Sequence, residues 1–162
     1  MTSKLPFEDR ACFIAGQAKS GTTLLVALLD SHPELLVLPE ETAYFPTVLT
    51  KYAPCGRRAQ FEYLTKQSLS NVLFGGPCKW GKRSYETFPR EKFLQTFELT
   101  AFDSANAQDD LLVLMVKAYA ATLGRSLDGA GVSRVQVRRL ALWGFRPVGN
   151  RVLHRVLLLV RS

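Results

Sequence analysis

The sequence has few cysteines and no long hydrophobic segment, and both shortages exclude broad classes of protein. Its three cysteines, Cys12, Cys55 and Cys78, cannot all pair and show no C-x-x-C spacing. A disulfide framework and a cysteine-based zinc site are therefore not expected. No uninterrupted apolar run exceeds six residues. A membrane-spanning helix needs about 20 apolar residues, so the sequence predicts no such helix.

The sequence is also poor in histidine, and its first residues lack the features of a secretion signal. His32 and His154 are the only histidines, they lie far apart, and neither has a carboxylate at ligand spacing. We therefore expect no metal site. The first ten residues contain no apolar stretch of signal-peptide length. Together with the unpaired cysteines, this leads us to expect a reduced, cytoplasmic protein.

What the sequence does contain is enough apolar material for one packed domain. Hydrophobic residues make up 47% and charged residues 22% of the 162 residues, a balance that argues against wholesale disorder. A chain of this length corresponds to about one domain, since domains run to roughly 100–200 residues.

The net charge of +7 comes entirely from the C-terminal part of the chain. Residues 1–124 carry 13 basic and 13 acidic residues, whereas residues 125–162 carry eight arginines, no lysine and one acid. This boundary in composition predicts an N-terminal part over 1–124 and an arginine-rich, divergent segment over 125–162. Three interpretations of that segment stay open: a basic arm for phosphate-rich partners, an ordinary surface segment, or a foreign stretch such as a sequence read out of frame.

The first half of the chain has the pattern of a strand, a helix and a second strand. The apolar run 11–15 ends at Gly16 and predicts a buried strand, and residues 22–31 predict a helix that stops before Pro33. Residues 35–38, bounded by prolines, predict a second buried strand. A βαβ unit of this kind indicates an α/β fold with a parallel sheet and covering helices.

The rest of the chain is predicted to be mainly helical, with one further strand. Helices are predicted over residues 42–53, 59–71, 89–101 and 109–123. The last of these begins with acidic residues and has Gly124 as a natural C-cap. After Gly124 the clearest element is the apolar run 156–160, which predicts another buried strand.

The loop between the first strand and the first helix has the composition of a phosphate-binding loop. It contains Gly16 and Gly21 in a G-x4-G spacing, and glycine lets the backbone wrap closely round an anion. The helix N-terminus that follows adds about half a positive charge. In a Walker A loop a lysine directly follows the second glycine, whereas here Thr22 follows it and Lys19 precedes it. This difference argues against an ordinary ATPase or GTPase.

This loop also carries a resemblance to a known family. The segment A-K-S-G-T-T, followed by an apolar helix and H-P-E-L, resembles the 5′-phosphosulfate loop of sulfotransferases. That family uses 3′-phosphoadenosine 5′-phosphosulfate (PAPS) as sulfuryl donor on a P-loop-like α/β fold. The resemblance implies that Lys19 holds the 5′-phosphate and stabilises charge on the departing oxygen. It implies further donor-binding residues directly after the lysine: Ser20, Gly21, Thr22 and Thr23.

Two adjacent glutamates, Glu40 and Glu41, follow the second predicted strand. They would lie at the same carboxyl edge of the sheet as the phosphate loop, where open α/β sheets bind their ligands. Glu41, with Tyr44 and Phe45 after it, resembles the family's K-E-x-x-aromatic-F segment, whose glutamate takes the proton of the acceptor hydroxyl. Glu40 stands where the family often has lysine, and two adjacent carboxylates would raise the pKa of one of them. The alternative is a solvated acidic helix start.

The last strand resembles a second signature of the family but stops with the chain. In the family a strand ending in arginine, followed by a serine, holds the donor's 3′-phosphate, and Arg161 matches that arginine. The downstream serine and the rest of the fold have no counterpart here. Residues 1–124 would therefore be the N-terminal part of a sulfotransferase-like domain that is incomplete at its C-terminal end.

The resulting hypothesis is a metal-independent sulfotransferase that moves a sulfuryl group from PAPS to a hydroxyl or amine. Lys19 and Glu41 would be its catalytic residues. The acceptor would be a small molecule or a carbohydrate, and neither nucleic acid nor a membrane span is expected. Two alternatives stay open: a P-loop kinase or NTPase, which would need magnesium, and a non-catalytic remnant that still binds nucleotide.

Overall fold

The computed structural model of the protein describes residues 11–16, 21–30, 32–39, 42–68, 87–127 and 155–161. Its strands are β1 (Ala11–Gly16), β2 (Leu35–Val37) and β3 (Arg155–Arg161). Its α-helices are α1 (Thr22–Leu29), α2 (Gly56–Tyr63), α3 (Arg90–Phe102) and α4 (Leu111–Thr122). Short π-helical or 3₁₀-helical turns cover Tyr44–Val48, Ala53–Cys55, Leu64–Ser68 and Ser104–Asn106.

The strand, helix and strand predicted for the first half of the chain are present. β1, α1 and β2 fall within one or two residues of the ranges expected from the apolar runs and the prolines. α1 ends at Leu29, and the N–H of Asp30 still bonds to the carbonyl of Val26 at 2.8 Å. The N–H of His32 then donates to the carbonyl of Leu29 at 3.0 Å, which turns the chain towards β2.

The sheet has β3 between β1 and β2, and β3 runs antiparallel to both. Ile14 lies opposite Leu157, and Leu36 lies opposite Val160. β1 and β2 therefore point in the same direction, as the two strands of a βαβ unit do. Both described pairings are antiparallel, because both involve β3 and β3 runs the other way, whereas the sequence predicts a parallel sheet. The wider P-loop-like α/β class stays a prediction.

β2 contributes to two apolar clusters, one on each face of the sheet. Leu36 and Leu38 are buried in the larger cluster, which includes much of α3 and α4. Val37 is buried in a smaller cluster with Ile14 of β1 and Val26 of α1. Successive side chains of a strand point to opposite faces, so α1 lies on one face and the α3–α4 pair on the other.

Aromatic side chains fill the centre of the larger cluster. Phe93 and Phe97 of α3 and Tyr119 of α4 are almost fully buried. Phe61 of α2 packs against Phe97 with ring centroids 4.8 Å apart. Burying one large apolar side chain stabilises a fold by about 1.5–3 kcal/mol, so this cluster is the main apolar core of the described residues.

Two aspartates begin the helical segments that follow α3. Asp103 accepts a hydrogen bond from the N–H of Ala105, and Asp110 accepts one from the N–H of Leu112 at 2.8 Å. In this N-cap arrangement a short acidic side chain satisfies an N–H group of the first turn. α4 ends before Gly124, whose φ of 66° lies in the left-handed region. The predicted acidic start and glycine end of this helix are confirmed.

One predicted helix is wrong, because residues 42–53 do not form a continuous α-helix. The structure has a π-helical turn at Tyr44–Val48 and a separate 3₁₀ turn at Ala53–Cys55. The residue before the first turn, Ala43, has a left-handed φ of 45° that an α-helix cannot contain. Pro46 within the turn has no N–H to donate to a helical hydrogen bond.

Two arginines connect distant parts of the backbone. Arg57 of α2 donates to four carbonyls at the end of α3 and in the α3–α4 connection: Ala101, Asn106, Ala107 and Asp109. Arg125, directly after α4, donates to the carbonyls of Leu35 and Pro33. Arg125 and β3 both belong to the segment 125–162, so residues on either side of position 124 contribute to one sheet. The division of the chain into two parts at residue 124 stays a prediction.

Candidate functional site

The N-terminus of α1 is the described part of the predicted phosphate loop. α1 begins after Gly21, which is exposed and has a left-handed φ of 84°. A side chain would be strained at this φ, although the space around the missing Cβ is empty. The Gly21 carbonyl accepts the first helical hydrogen bond, from the N–H of Leu25 at 3.0 Å. Gly21 therefore turns the chain from the loop into the helix.

The electrostatics of this helix end favour an anion. Its N-cap residue, Gly21, has no side chain to cap it, and its first turn contains no acidic residue. The first N–H groups of an α-helix have no acceptor within the helix, and the helix dipole adds positive charge there. Phosphate and sulfate groups are common ligands of such ends.

The structure describes part of the residue set predicted to bind the donor. Gly21 precedes α1, and Thr22, which is only 7% exposed, is the first residue of the helix. Thr23 follows it in α1. Lys19 and Ser20 lie outside the described residues, and their roles stay predictions.

The sheet directs the predicted phosphate loop and the predicted general base towards the same edge. The loop follows the carboxyl end of β1, and Glu41 follows the carboxyl end of β2. These two strands run in the same direction on either side of β3. Neighbouring strands are about 4.8 Å apart, so β1 and β2 are separated by roughly 10 Å. Glu41 itself lies outside the described residues.

β3 places Arg161 at the opposite edge of the sheet. Arg161 lies opposite Leu35, the first residue of β2, and Val160 lies opposite Ala11, the first residue of β1. The predicted phosphate loop follows Gly16, at the far end of β1, which corresponds to about 17 Å along the strand. The antiparallel direction of β3 therefore keeps the Arg161 backbone away from Gly16, and the contact of Arg161 with the donor's 3′-phosphate stays a prediction.

The segment after β2 is held by a buried tyrosine. Thr42 and Tyr44 are almost fully buried, and the Thr42 hydroxyl accepts a hydrogen bond from the N–H of Tyr44 at 3.3 Å. The Tyr44 hydroxyl donates to Oδ1 of Asp110 at 2.5 Å. Burial, and then the charge of Asp110, raise the pKa of Tyr44 well above its usual value, so the hydroxyl stays protonated as a donor.

A single carboxylate oxygen joins this segment to α4. Oδ1 of Asp110 accepts both from the Tyr44 hydroxyl and from the N–H of Leu112. Arg57 donates to the carbonyl of the preceding residue, Asp109, at 2.9 Å. The sequence predicts Asp110 as an acid at a helix start but not its bond to Tyr44. The two residues are 66 positions apart, and no local pattern indicates such a contact.

The part of the chain that the structure describes shows neither a metal cluster nor a membrane-spanning helix. It contains no group of three or more histidine, cysteine, aspartate or glutamate residues that could hold a metal ion. Within the same ranges, every helix is too short or too polar to cross a membrane.

Comparison with protein-family models, curated proteins and solved structures finds no match to this chain. The case for a function therefore depends on the motif residues and on the geometry around β1, α1 and β2.

Proposed function

We propose that the protein is a sulfotransferase, which transfers a sulfuryl group from PAPS to a hydroxyl or amine acceptor. The observation that carries this proposal is the junction of β1 with α1, where Gly21, in a left-handed conformation and without a capping side chain of its own, precedes the helix. Such a helix end favours the anionic phosphosulfate. The motif A-K-S-G-T-T at the same junction favours a sulfotransferase over a nucleoside triphosphatase, because Lys19 precedes the second glycine.

In this proposal Lys19 and the residues after it hold the donor. The phosphosulfate binds backbone N–H groups and hydroxyls of Ser20, Gly21, Thr22 and Thr23. When the sulfuryl group moves to the acceptor, the bond from sulfur to the bridging phosphate oxygen breaks and negative charge develops on that oxygen. Lys19 and the helix N–H groups stabilise this charge. Arg161 stays the residue proposed to hold the donor's 3′-phosphate, as the family resemblance implies.

Glu41 is the proposed general base. It takes a proton from the acceptor hydroxyl or amine while the acceptor atom forms its bond to sulfur. Its place after β2, at the edge to which the phosphate loop also points, supports this role.

The proposed acceptor is a small molecule or a carbohydrate rather than a nucleic acid. Residues 1–124, which contain the proposed site, have equal numbers of basic and acidic residues and so no net charge to attract a polyanion. We place this reaction in the cytoplasm.

Calorimetric titration with 3′-phosphoadenosine 5′-phosphate, the spent donor, tests the proposal. We expect the parent chain to bind it and Lys19→Ala to lose about tenfold or more in affinity, because the phosphate loses a charged hydrogen-bond donor. Lys92→Ala removes an exposed lysine of α3 and is the matched control, so it should bind like the parent chain.

The same titration with ATP and magnesium separates the alternatives. Binding of magnesium-ATP without binding of the spent donor would indicate a P-loop kinase or NTPase. Binding of the spent donor without sulfuryl transfer to a panel of hydroxyl and amine acceptors would indicate a non-catalytic nucleotide-binding remnant. A folded chain that binds neither nucleotide contradicts the proposal.

A further inference from the structure

The geometry points to Tyr44 and Asp110 as a positioning pair. Their hydrogen bond fixes the segment that follows Glu41 against α4. This inference rests on the proposed function and adds two residues to it. It concerns the short stretch between β2 and the π-helical turn, in which Glu41 directly precedes Thr42.

The contact between the two side chains is half-buried: Tyr44 lies in the core, whereas Asp110 is an exposed residue at the start of α4. Tyr44 is 3% exposed, and its hydroxyl lies 2.5 Å from Oδ1 of Asp110. The same oxygen caps α4 through the N–H of Leu112, and Arg57 holds the neighbouring carbonyl of Asp109. A phenylalanine would fill the same apolar space without burying a hydroxyl. The hydroxyl therefore contributes a directed bond to α4 and not only packing.

The backbone on the Glu41 side of Tyr44 has little freedom. Thr42 is 2% exposed, and its hydroxyl accepts the N–H of Tyr44. Ala43 has a φ of 45°, which a residue with a Cβ keeps only when its surroundings hold it there. The Tyr44–Asp110 bond thus ties the chain to α4 within three residues of Glu41.

A positioning role has a kinetic consequence that a purely structural role lacks. Misplacing a catalytic group by about 1 Å can lower a rate about 100-fold. The predicted donor loop follows a different strand, β1, whereas the bond joins Tyr44 to Asp110. Loss of the Tyr44 hydroxyl should therefore lower kcat while leaving the KM for PAPS unchanged.

Steady-state sulfuryl transfer by Tyr44→Phe tests the inference at a temperature well below unfolding. We expect kcat to fall about 10- to 100-fold, with the KM for PAPS within about twofold of the parent value. Tyr63→Phe is the matched control, since Tyr63 is a half-buried tyrosine whose ring packs on Tyr52 with centroids 4.8 Å apart. It should leave kcat unchanged.

Substitutions of Asp110 are a second test of the same bond, and they leave the aromatic core unchanged. Asp110→Asn keeps an oxygen that can accept from the Tyr44 hydroxyl, so it should retain most of the activity. Asp110→Ala should lose as much kcat as Tyr44→Phe, and the double variant should lose no more kcat than either, because both remove the Tyr44–Asp110 bond. Asp103→Ala removes a comparable cap elsewhere, through Ala105, and should leave kcat unchanged.

The outcomes separate this inference from the proposed function. A parent chain that binds the spent donor but transfers no sulfuryl group overturns both. An active parent chain with an equally active Tyr44→Phe variant overturns the positioning pair alone. If Tyr44→Phe does not fold, Asp110→Ala decides in its place, and full activity of that variant overturns the inference.

Discussion

At the scale of single residues, Arg57 fixes the backbone between α3 and α4 through its hydrogen bonds. Its guanidinium donates to four backbone carbonyls between Ala101 and Asp109, at distances from 2.7 to 3.3 Å. These carbonyls lie at the end of α3 and just after it, where the helix itself supplies no donors. Arginine carries five N–H groups in a planar fork, which suits several fixed acceptors at once.

Arg57→Ala should lower the free energy of unfolding by about 2–4 kcal/mol, because it removes four hydrogen bonds, among them those to the partly buried carbonyls of Ala101 and Asp109. Arg57→Lys should recover little of this, since one ammonium group cannot reach four acceptors. Urea denaturation followed by circular dichroism measures both changes. The neighbouring Arg58 forms an exposed ion pair with Glu98, so Arg58→Ala should cost about 1 kcal/mol or less. Equal losses for the two alanine variants would contradict this role of Arg57.

Side-chain contacts between residues far apart in the chain could not be predicted from the sequence. Local patterns indicate Tyr44 as part of an aromatic pair and Asp110 as an acid at a helix start. Their hydrogen bond spans 66 positions, and it depends on how α4 packs against the segment after β2. The residues of the candidate site that could be predicted are those in one contiguous motif, such as Gly21 at the start of α1.

At the scale of elements, local chemistry explains which predictions succeeded. α4 has its acidic cap and its glycine stop within the sequence that forms it, so both of its ends were predictable. The helix predicted over 42–53 is absent, and this segment contains Pro46 and a left-handed Ala43. The spacing of apolar residues gives no information on such backbone conformations. Helix boundaries are therefore predictable here where a cap residue fixes them.

Gly124→Ala tests the glycine stop of α4. Its φ of 66° is unfavourable for a residue with a Cβ, so the variant should lose about 1 kcal/mol of unfolding free energy. Gly124→Asn should lose less, because asparagine adopts the left-handed region more readily than alanine. Thermal and urea unfolding of the three proteins measure the difference. If alanine were tolerated as well as asparagine, φ at this position would not be the determining factor.

At the scale of the whole molecule, the sheet depends on a strand from the arginine-rich segment. β3 separates β1 from β2, so each of these strands pairs with β3 and not with the other. The run Val156–Val160 reads V-L-L-L-V in both directions. Such a pattern predicts a buried strand but contains no information on its direction, which is why the antiparallel pairing could not be predicted.

Removing residues 155–162 should therefore destabilise the sheet and not merely shorten the chain. β1 and β2 would lose their backbone partners, and these two strands contribute Ile14 and Val37 to the small apolar cluster with Val26. Re-exposing a few hundred Å² of apolar surface costs several kcal/mol at about 25 cal/mol per Å², which approaches the total stability of a small domain.

Thermal unfolding and limited proteolysis of the shortened chain measure this loss. We expect cleavage within residues 11–39 to become much faster, whereas a chain that lacks only Ser162, beyond the end of β3, should behave like the parent. A shortened chain with unchanged unfolding and unchanged cleavage would contradict the central place of β3. The same result would favour the interpretation of residues 125–162 as a foreign stretch, because a segment that does not belong to the fold can be removed without destabilising the sheet.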